Sequence, residues 1–131
     1  MSRQWPNNGV DMRRERRDRN HAAIAEHLRK CGVEVRELMK PLDMLCHRGD
    51  VTAWVEAKMP GSQAKWTDTQ LRFVASTKMH VIVAKSGEQA MRDIRDRRFV
   101  SQRAKDRIAA LIALEPRTIY TPEIVERCLE S

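Results

Sequence analysis

Asp43, Glu56 and Lys58 are the residues whose types and spacing could carry chemistry. They lie on two short apolar runs, 42 to 46 and 51 to 57, on either side of Arg48-Gly49-Asp50. A two-residue turn with Gly first is the signature of a type II′ hairpin, and it makes Arg48 and Val51 the closing pair. Asp43 then falls directly opposite Glu56. Opposed residues share a sheet face with their Cβ atoms ~4.5–5.5 Å apart, so two carboxylates are forced together where like charges are costly. The period-2 alternation of a strand puts Lys58 on the same face as Glu56. The opposite face reads Leu42, Met44, Cys46, Ala53, Val55 and Ala57, uninterruptedly apolar, which supports this register. The chemical face carries Asp43, Leu45, His47, Trp54, Glu56 and Lys58.

Two close carboxylates suit Mg²⁺ or Mn²⁺, hard ions that keep several waters and take phosphate as a further ligand. A nearby lysine can orient or deprotonate an attacking water and offset charge in a phosphoryl transition state. An ion-pair cluster on a solvated sheet face would hold the same residue types, but stability alone gives no reason to set two acids opposite each other.

Charge points to the same chemistry. The 131 residues include 25 Lys+Arg against 18 Asp+Glu, a formal charge of +7 with a pI near 9.8, as expected of a polyanion-binding domain. Metal-dependent phosphodiester hydrolysis is the expectation. No apolar run approaches the ~18 residues of a membrane span, and no targeting signal is read in the opening residues. Glycines stand at positions 9, 32, 49, 61 and 87, so neither common nucleotide-binding glycine motif can be drawn through them, and no nucleotide cofactor is expected. Trp5, Trp54, Trp66, Phe73, Phe99 and Tyr120 are too scattered for a surface that stacks successive bases, which favours contact with the phosphate backbone. Cys31, Cys46 and Cys128 are odd in number and far apart, excluding a disulfide framework and fitting a reducing cytoplasm.

The elements that must position the site follow from periodicity. Residues 1 to 17 form a basic arm. Ile24, Leu28 and Cys31 recur at helical spacing and Gly32 supplies the stop, predicting a helix over residues 18 to 31. Three strands follow, over 33 to 38, 42 to 46 and 51 to 57. A loop over 59 to 66 leads to Thr67-Asp68-Thr69-Gln70, the form of a capping box opening a helix over 67 to 77. Residues 81 to 84 read as a buried strand and 87 to 95 as a short helix. Val100, Ala104, Ile108, Leu111 and Ile112 mark a further helix ending near Pro116, and Thr121-Pro122-Glu123 opens a last one. The fold class is α/β with an αβββαβ core.

Asp43 followed by Glu56-Ala57-Lys58, between a preceding helix and a following Thr-x-x-Gln helix, resembles the PD-(D/E)xK nuclease superfamily. The run from Asn20 through Ser86 is most similar to the small virus-type replication-repair nuclease (VRR-NUC) domains of phages and bacteria, and more distantly to Holliday junction resolvases. The resemblance implies a restriction-endonuclease-like core with a mixed sheet over residues 18 to 96 and a C-terminal helical extension over 97 to 131. It implies Asp43, Glu56 and the backbone carbonyl of Ala57 as ligands of Mg²⁺ or Mn²⁺, and Lys58 as the catalytic lysine. Gln70 matches a glutamine that helps hold the active site, although a capping box explains it equally well. The family's proline beside the first acid is here two residues earlier, Pro41. Relatives also place a Glu on the first helix near the metal. The matching region runs from Asn20-His21 to Glu26, and either Glu26 or Asn20 is the candidate.

The implied partner is DNA, branched or otherwise not defined by sequence, with a homodimer as the family's common assembly. The implied compartment is the cytoplasm of a bacterial or phage-infected cell. Candidate phosphate contacts are Arg13, Arg14, Arg16, Arg17, Lys65, Arg97, Arg98 and Arg103. Lys105 and Arg107 belong to the same C-terminal basic run, in which interleaved acids make a solvated face the plain alternative. His21, His27, His47 and His80 show no ligand spacing and are assigned no metal. Rival expectations are a non-cleaving DNA-binding or accessory protein on the same fold, and a phage-encoded protein-interaction factor.

Overall fold

The structure is a computed structural model that describes residues 21–38, 40–58 and 65–130. The basic arm, with Arg13, Arg14, Arg16 and Arg17, lies outside the described residues, as do Asn20 and most of the 59 to 66 loop.

Helix α1 covers residues 21–30. It stops where the sequence predicts, at Gly32 with φ +86°, where the Val33 N–H donates to Leu28 O and the Gly32 N–H to Arg29 O, each 3.0 Å. That pair of bonds is a Schellman cap, and its left-handed residue costs glycine nothing. Strands β1 (Glu34–Glu37), β2 (Met44–Arg48) and β3 (Val51–Ala57) form an antiparallel meander. The hairpin has the predicted register, with Arg48 opposite Val51, Leu45 opposite Trp54 and Met44 opposite Val55. Gly49 has φ +62° while Asp50 is not in the positive-φ region, which is the type II′ pattern.

A two-residue strand β4 (Trp66–Thr67) leads into α2 (Asp68–Ser76), and β5 (His80–Ala84) then adds to the sheet parallel to β3. The sheet order is β1-β2-β3-β5, so the fold is α/β with a mixed sheet. Helices α3 (Gly87–Arg95), α4 (Gln102–Leu114) and α5 (Pro122–Leu129) follow, with β6 (Ile119–Tyr120) between the last two. Among the described residues no helix is long and apolar enough to cross a membrane.

The sheet is covered on both faces. Met44, Cys46, Ala53, Val55, Ile82 and Ala84 pack against Ile24 and Leu28 of α1 and Ala90 and Ile94 of α3. The alternate residues Trp54 and Val81 pack against Leu71 and Val74 of α2, behind which lie Ile108 and Ile112 of α4 and Val125 of α5. The face read from sequence as chemical is therefore mostly core. Trp54 is part of that core, edge-on to Phe73 with ring centroids 5.3 Å apart. Among the described residues, the polar side chains buried at the ends of β2 and β3 away from the hairpin turn are Asp43, Glu56 and Lys58. Burying one apolar side chain of this second layer, such as Leu71 or Val74, contributes roughly 1.5–3 kcal/mol, so the layer is a stabilising element.

The segment after α3 ties the C-terminal helices to the sheet. The Val100 N–H donates to Val81 O at 2.8 Å on the outer edge of β5, shielding part of a strand edge that would otherwise invite pairing. Further on, β6 pairs antiparallel with β4, and Tyr120 is fully buried, its hydroxyl donating to Glu115 O at 3.0 Å. Sequence reading places 59 to 66 wholly in a loop and leaves 119 to 120 without a strand. A two-residue ladder is too short to show alternation, and its pairing is decided by where α4 and α5 dock.

Lys105 differs from its expected place on a solvated basic face. It is buried on α4, and its ammonium donates to Thr77 O at 2.7 Å and Met79 O at 3.1 Å. A cation there satisfies carbonyls at the end of α2 and meets the negative end of the helix dipole.

Candidate active site

Asp43 and Glu56 meet at the end of the β2–β3 pair, as their opposition across the hairpin predicts. Each carboxylate is held by the other's strand. The Asp43 N–H donates to Glu56 Oε1 at 3.1 Å, and the Ala57 N–H donates to Asp43 Oδ2 at 2.8 Å. The Leu38 N–H in turn donates to Asp43 O at 2.7 Å, fixing the turn that precedes β2 to the end of β1. Asp43 is 8% exposed and Glu56 1%.

Lys58 follows Glu56 at the end of β3, where its N–H donates to Ala84 O at 2.9 Å and so stays in the ladder with β5. Its Nζ lies 3.1 Å from Glu56 Oε2, donates to Lys65 O at 2.8 Å and to Gln70 Oε1 at 3.3 Å, and sits 4.3 Å from the centroid of the Trp66 ring. Three acceptors and an aromatic face suit an ammonium, which has three donors and no acceptor.

Gln70 makes the capping box and also reaches Glu56. The Thr67 side chain accepts from the Gln70 N–H at 3.1 Å and Gln70 Oε1 accepts from the Thr67 N–H at 3.0 Å, the two bonds of a capping box. The same side chain's Nε2 donates to Glu56 Oε2 at 2.9 Å. The cap that starts α2 therefore also sets the distance between Glu56 and Lys58.

Burial, opposed by Lys58 and aided by the Asp43 charge, leaves the Glu56 carboxyl raised to about 7. Two carboxylates against one ammonium in a shielded site leave a preference for additional positive charge.

The first helix contributes differently from the expectation. Glu26 does not reach the site: its side chain is 70% exposed and lies 3.6 Å from Lys30. The inward positions of α1 are His21, Ile24, Ala25 and Leu28, and Glu26 is out of phase with them. His21 is the residue α1 brings to the carboxylates. It is 7% exposed, with Nδ1 3.7 Å from Asp43 Oδ1 and Nε2 3.2 Å from Glu37 Oε1. Its place three residues before Ile24 on the apolar stripe was the available signal. Glu37 had one too, since it continues the inward phase of Val33 and Val35, and Arg29 Nη1 also donates to it at 2.9 Å. Trp66 left no signal beyond being an aromatic next to a capping box.

The basic candidates separate in space. Lys65 borders the site through its carbonyl. Arg97 Nη2 lies 2.6 Å from Asp50 Oδ1 at the hairpin turn, six residues along β3 from Glu56, about 20 Å at the rise of a strand. Arg98 lies beside it in sequence, 3.8 Å from Asp96, and Arg103 is exposed on α4. Arg97 and Arg98 therefore do not border the carboxylates. His47, 2.8 Å from Thr52 across the hairpin, is likewise exposed near the turn.

Comparison of the chain with protein-family models, curated proteins and solved structures found no match.

Proposed function

We propose that this protein is a Mg²⁺- or Mn²⁺-dependent DNA endonuclease with a PD-(D/E)xK core, of the small VRR-NUC type. The observation that carries the reading is the Asp43–Glu56 pair, each carboxylate bonded to the other's strand, with the Lys58 ammonium 3.1 Å from Glu56. A purely structural cluster has no reason to hold two shielded acids against a single lysine. The order helix, three antiparallel strands, helix, parallel strand is in keeping with that core.

The donor chemistry fits a hard divalent cation. Among the described residues no three His, Cys, Asp or Glu side chains form a metal-holding group, but Mg²⁺ is commonly bound through one or two carboxylates with waters completing its shell. Asp43, Glu56 and the Ala57 carbonyl are the groups that would hold it. The chemistry such an ion supplies when bound is Lewis-acid polarisation of the scissile phosphodiester. Lys58 presents a fixed positive charge where charge accumulates on the phosphoryl oxygens, and it orients the attacking water. Gln70 and the Lys65 carbonyl keep that ammonium from swinging away. The net charge of +7 supplies long-range attraction to DNA, so affinity should fall steeply with salt.

The test is cleavage of plasmid, single-stranded, flap and four-way-junction DNA in Mg²⁺, Mn²⁺ or EDTA, with Lys58→Ala and Glu56→Ala alongside. Metal-dependent cutting by wild type, lost in both folded variants, is expected. Absence of cutting on every substrate with either metal, or folded variants that cut as wild type does, would refute the assignment.

A further inference from the structure

The ammonium of Lys58 is held by more than the carboxylate beside it, and the other supports come from one short piece of chain. Lys65 O accepts from Nζ at 2.8 Å, and the Trp66 ring centroid lies 4.3 Å from it. The Thr67 N–H donates to the same Gln70 Oε1 that accepts from Nζ at 3.3 Å. Lys58 is 7% exposed and Trp66 2%. A buried ammonium is costly beside an apolar surface but is attracted by the face of an aromatic ring, indole most of all. A leucine would fill the place of Trp66 in the core with Leu71 and Tyr120 and offer the cation nothing.

The piece that carries these supports does not hold itself. Strand β4 is two residues long, and among the described residues its ladder partner is β6, with Trp66 opposite Tyr120 and Thr67 opposite Ile119. The Asp68 N–H donates to Thr118 O at 2.9 Å and extends the pairing by one position. A pair of strands this short is not stable alone and takes its place from what it packs against. Here that is the C-terminal segment. The Tyr120 hydroxyl donates to Glu115 O at 3.0 Å and accepts from the Arg117 N–H at 2.9 Å, which closes the turn after α4. Val125 of α5 joins the same core as Trp66.

We infer that Trp66 is a positioning residue for Lys58 and that β6, anchored by Tyr120, holds Trp66 in place, so that the C-terminal extension is a working part of the active site. The inference rests on the nuclease reading's assignment of Lys58 to the reaction. Lysine carries its charge on a flexible four-carbon stem, so its surroundings set where the charge sits. A displaced ammonium weakens the stabilisation of phosphoryl charge more than it weakens DNA binding, to which the whole net charge of +7 contributes.

The experiment reads Lys58 first by NMR of the whole protein carrying isotope-labelled lysine, without DNA, and then by cleavage kinetics. The Lys58 methylene next to Nζ should resonate upfield of the other lysines, shielded by the indole face, with Lys58→Ala giving the assignment. Trp66→Leu should return that resonance to the common lysine position, and Trp66→Phe should keep part of the shift. Tyr120→Phe, which removes both hydroxyl bonds and leaves a ring in the core, should reduce it. In DNA cleavage, Trp66→Leu should lower kcat about tenfold with KM changed less than about twofold, the pattern of a contact that matters only in the transition state. Trp66→Phe should recover most of the rate. A role confined to packing would lower the stability of Trp66→Leu and leave kcat of the folded protein unchanged. An unshifted Lys58 resonance in wild type overturns the inference and leaves the nuclease reading standing, as does a folded Trp66→Leu protein that cuts at the wild-type kcat. A wild type that cuts nothing refutes the nuclease reading and this inference with it. If Trp66→Leu does not fold, the wild-type resonance and the kcat of Tyr120→Phe decide, with a fall of about threefold expected and a wild-type rate overturning the inference.

Discussion

Gln70→Glu separates the two roles of the residue on which the site geometry turns. A glutamate at this position keeps the capping box, since its carboxylate still accepts from the Thr67 N–H, and a negative charge in the first turn of α2 is favourable by about 0.3–1 kcal/mol. If capping were the whole role, the variant would be as stable as wild type. The structure says otherwise, because Nε2 of Gln70 donates to Glu56 Oε2 at 2.9 Å. Replacing that amide by a carboxylate removes a hydrogen bond to a charged group, worth about 1.5–3 kcal/mol. It also sets two like charges near contact, about 4 kcal/mol at 4 Å in a partly shielded setting. Uptake of a proton limits the penalty at about 1.4 kcal/mol per pH unit, and the Lys58 ammonium offsets part of it. A net loss of about 2–4 kcal/mol is expected at pH 8, shrinking toward pH 5 as the carboxyls protonate. For a chain of this size that is roughly a 10 °C fall in Tm. Thermal melts at pH 5 and pH 8 decide it, with Gln70→Ala as reference, which should lose about 1 kcal/mol or more for the cap at both pH values. A Gln70→Glu protein as stable as wild type at pH 8 would refute the bridging role.

Other outcomes follow from the same contacts. The Glu56 carboxyl is raised from 4.5 to about 7 by burial, so the folded state holds its proton more tightly than the unfolded chain. Stability should therefore be greatest below about pH 4.5 on this account and decline toward pH 7, by about 3 kcal/mol at most. Mn²⁺ or Mg²⁺ should flatten the decline, and melts in EDTA and in Mn²⁺ with the same slope would contradict this. Lys105→Ala removes an ammonium from Thr77 O and Met79 O and should cost about 2–4 kcal/mol by denaturant unfolding, where an exposed lysine would cost almost nothing. Gly87→Ala places a methyl 2.5 Å from His27 Cβ, so α1 and α3 must part, with an expected loss of about 1–3 kcal/mol in the same assay. A neutral result there would mean the helices pack less closely than the structure shows.

Much of the core architecture was legible because it is written in local signals. The Gly49-Asp50 turn set the hairpin register, the Thr67 to Gln70 cap set the start of α2, and Gly32 set the end of α1. Each is a backbone requirement met by residues within a few positions. The pairing of Asp43 with Glu56 was readable for the same reason, since a two-residue turn and a period of two leave no freedom in who faces whom. The reading failed where a residue's environment is made by distant segments. Lys105 looked like one more charge in a basic run, and only the packing of α4 on α2 buries it. Trp54 read as one more residue of the chemical face, and the docking of α2 made it core. Glu26 had the right type but the wrong helical phase, whereas His21 had the phase and went unassigned.

The sequence by itself determined which groups share a strand end, because hairpin register is a local property of backbone geometry. The tertiary structure decided how those groups are surrounded. It brought His21 and Glu37 to one side of Asp43, and Gln70, Trp66 and the Lys65 carbonyl to the other side of Glu56. Their distances depend on how α1 and α2 pack against opposite faces of the sheet. The physical reason is that register follows from hydrogen bonds between neighbouring strands, while burial, carboxyl titration and lysine positioning follow from the sum of all layers. Two acids in opposition come from the chain's local order; a shielded, braced pair able to favour a cation comes only from the assembled fold.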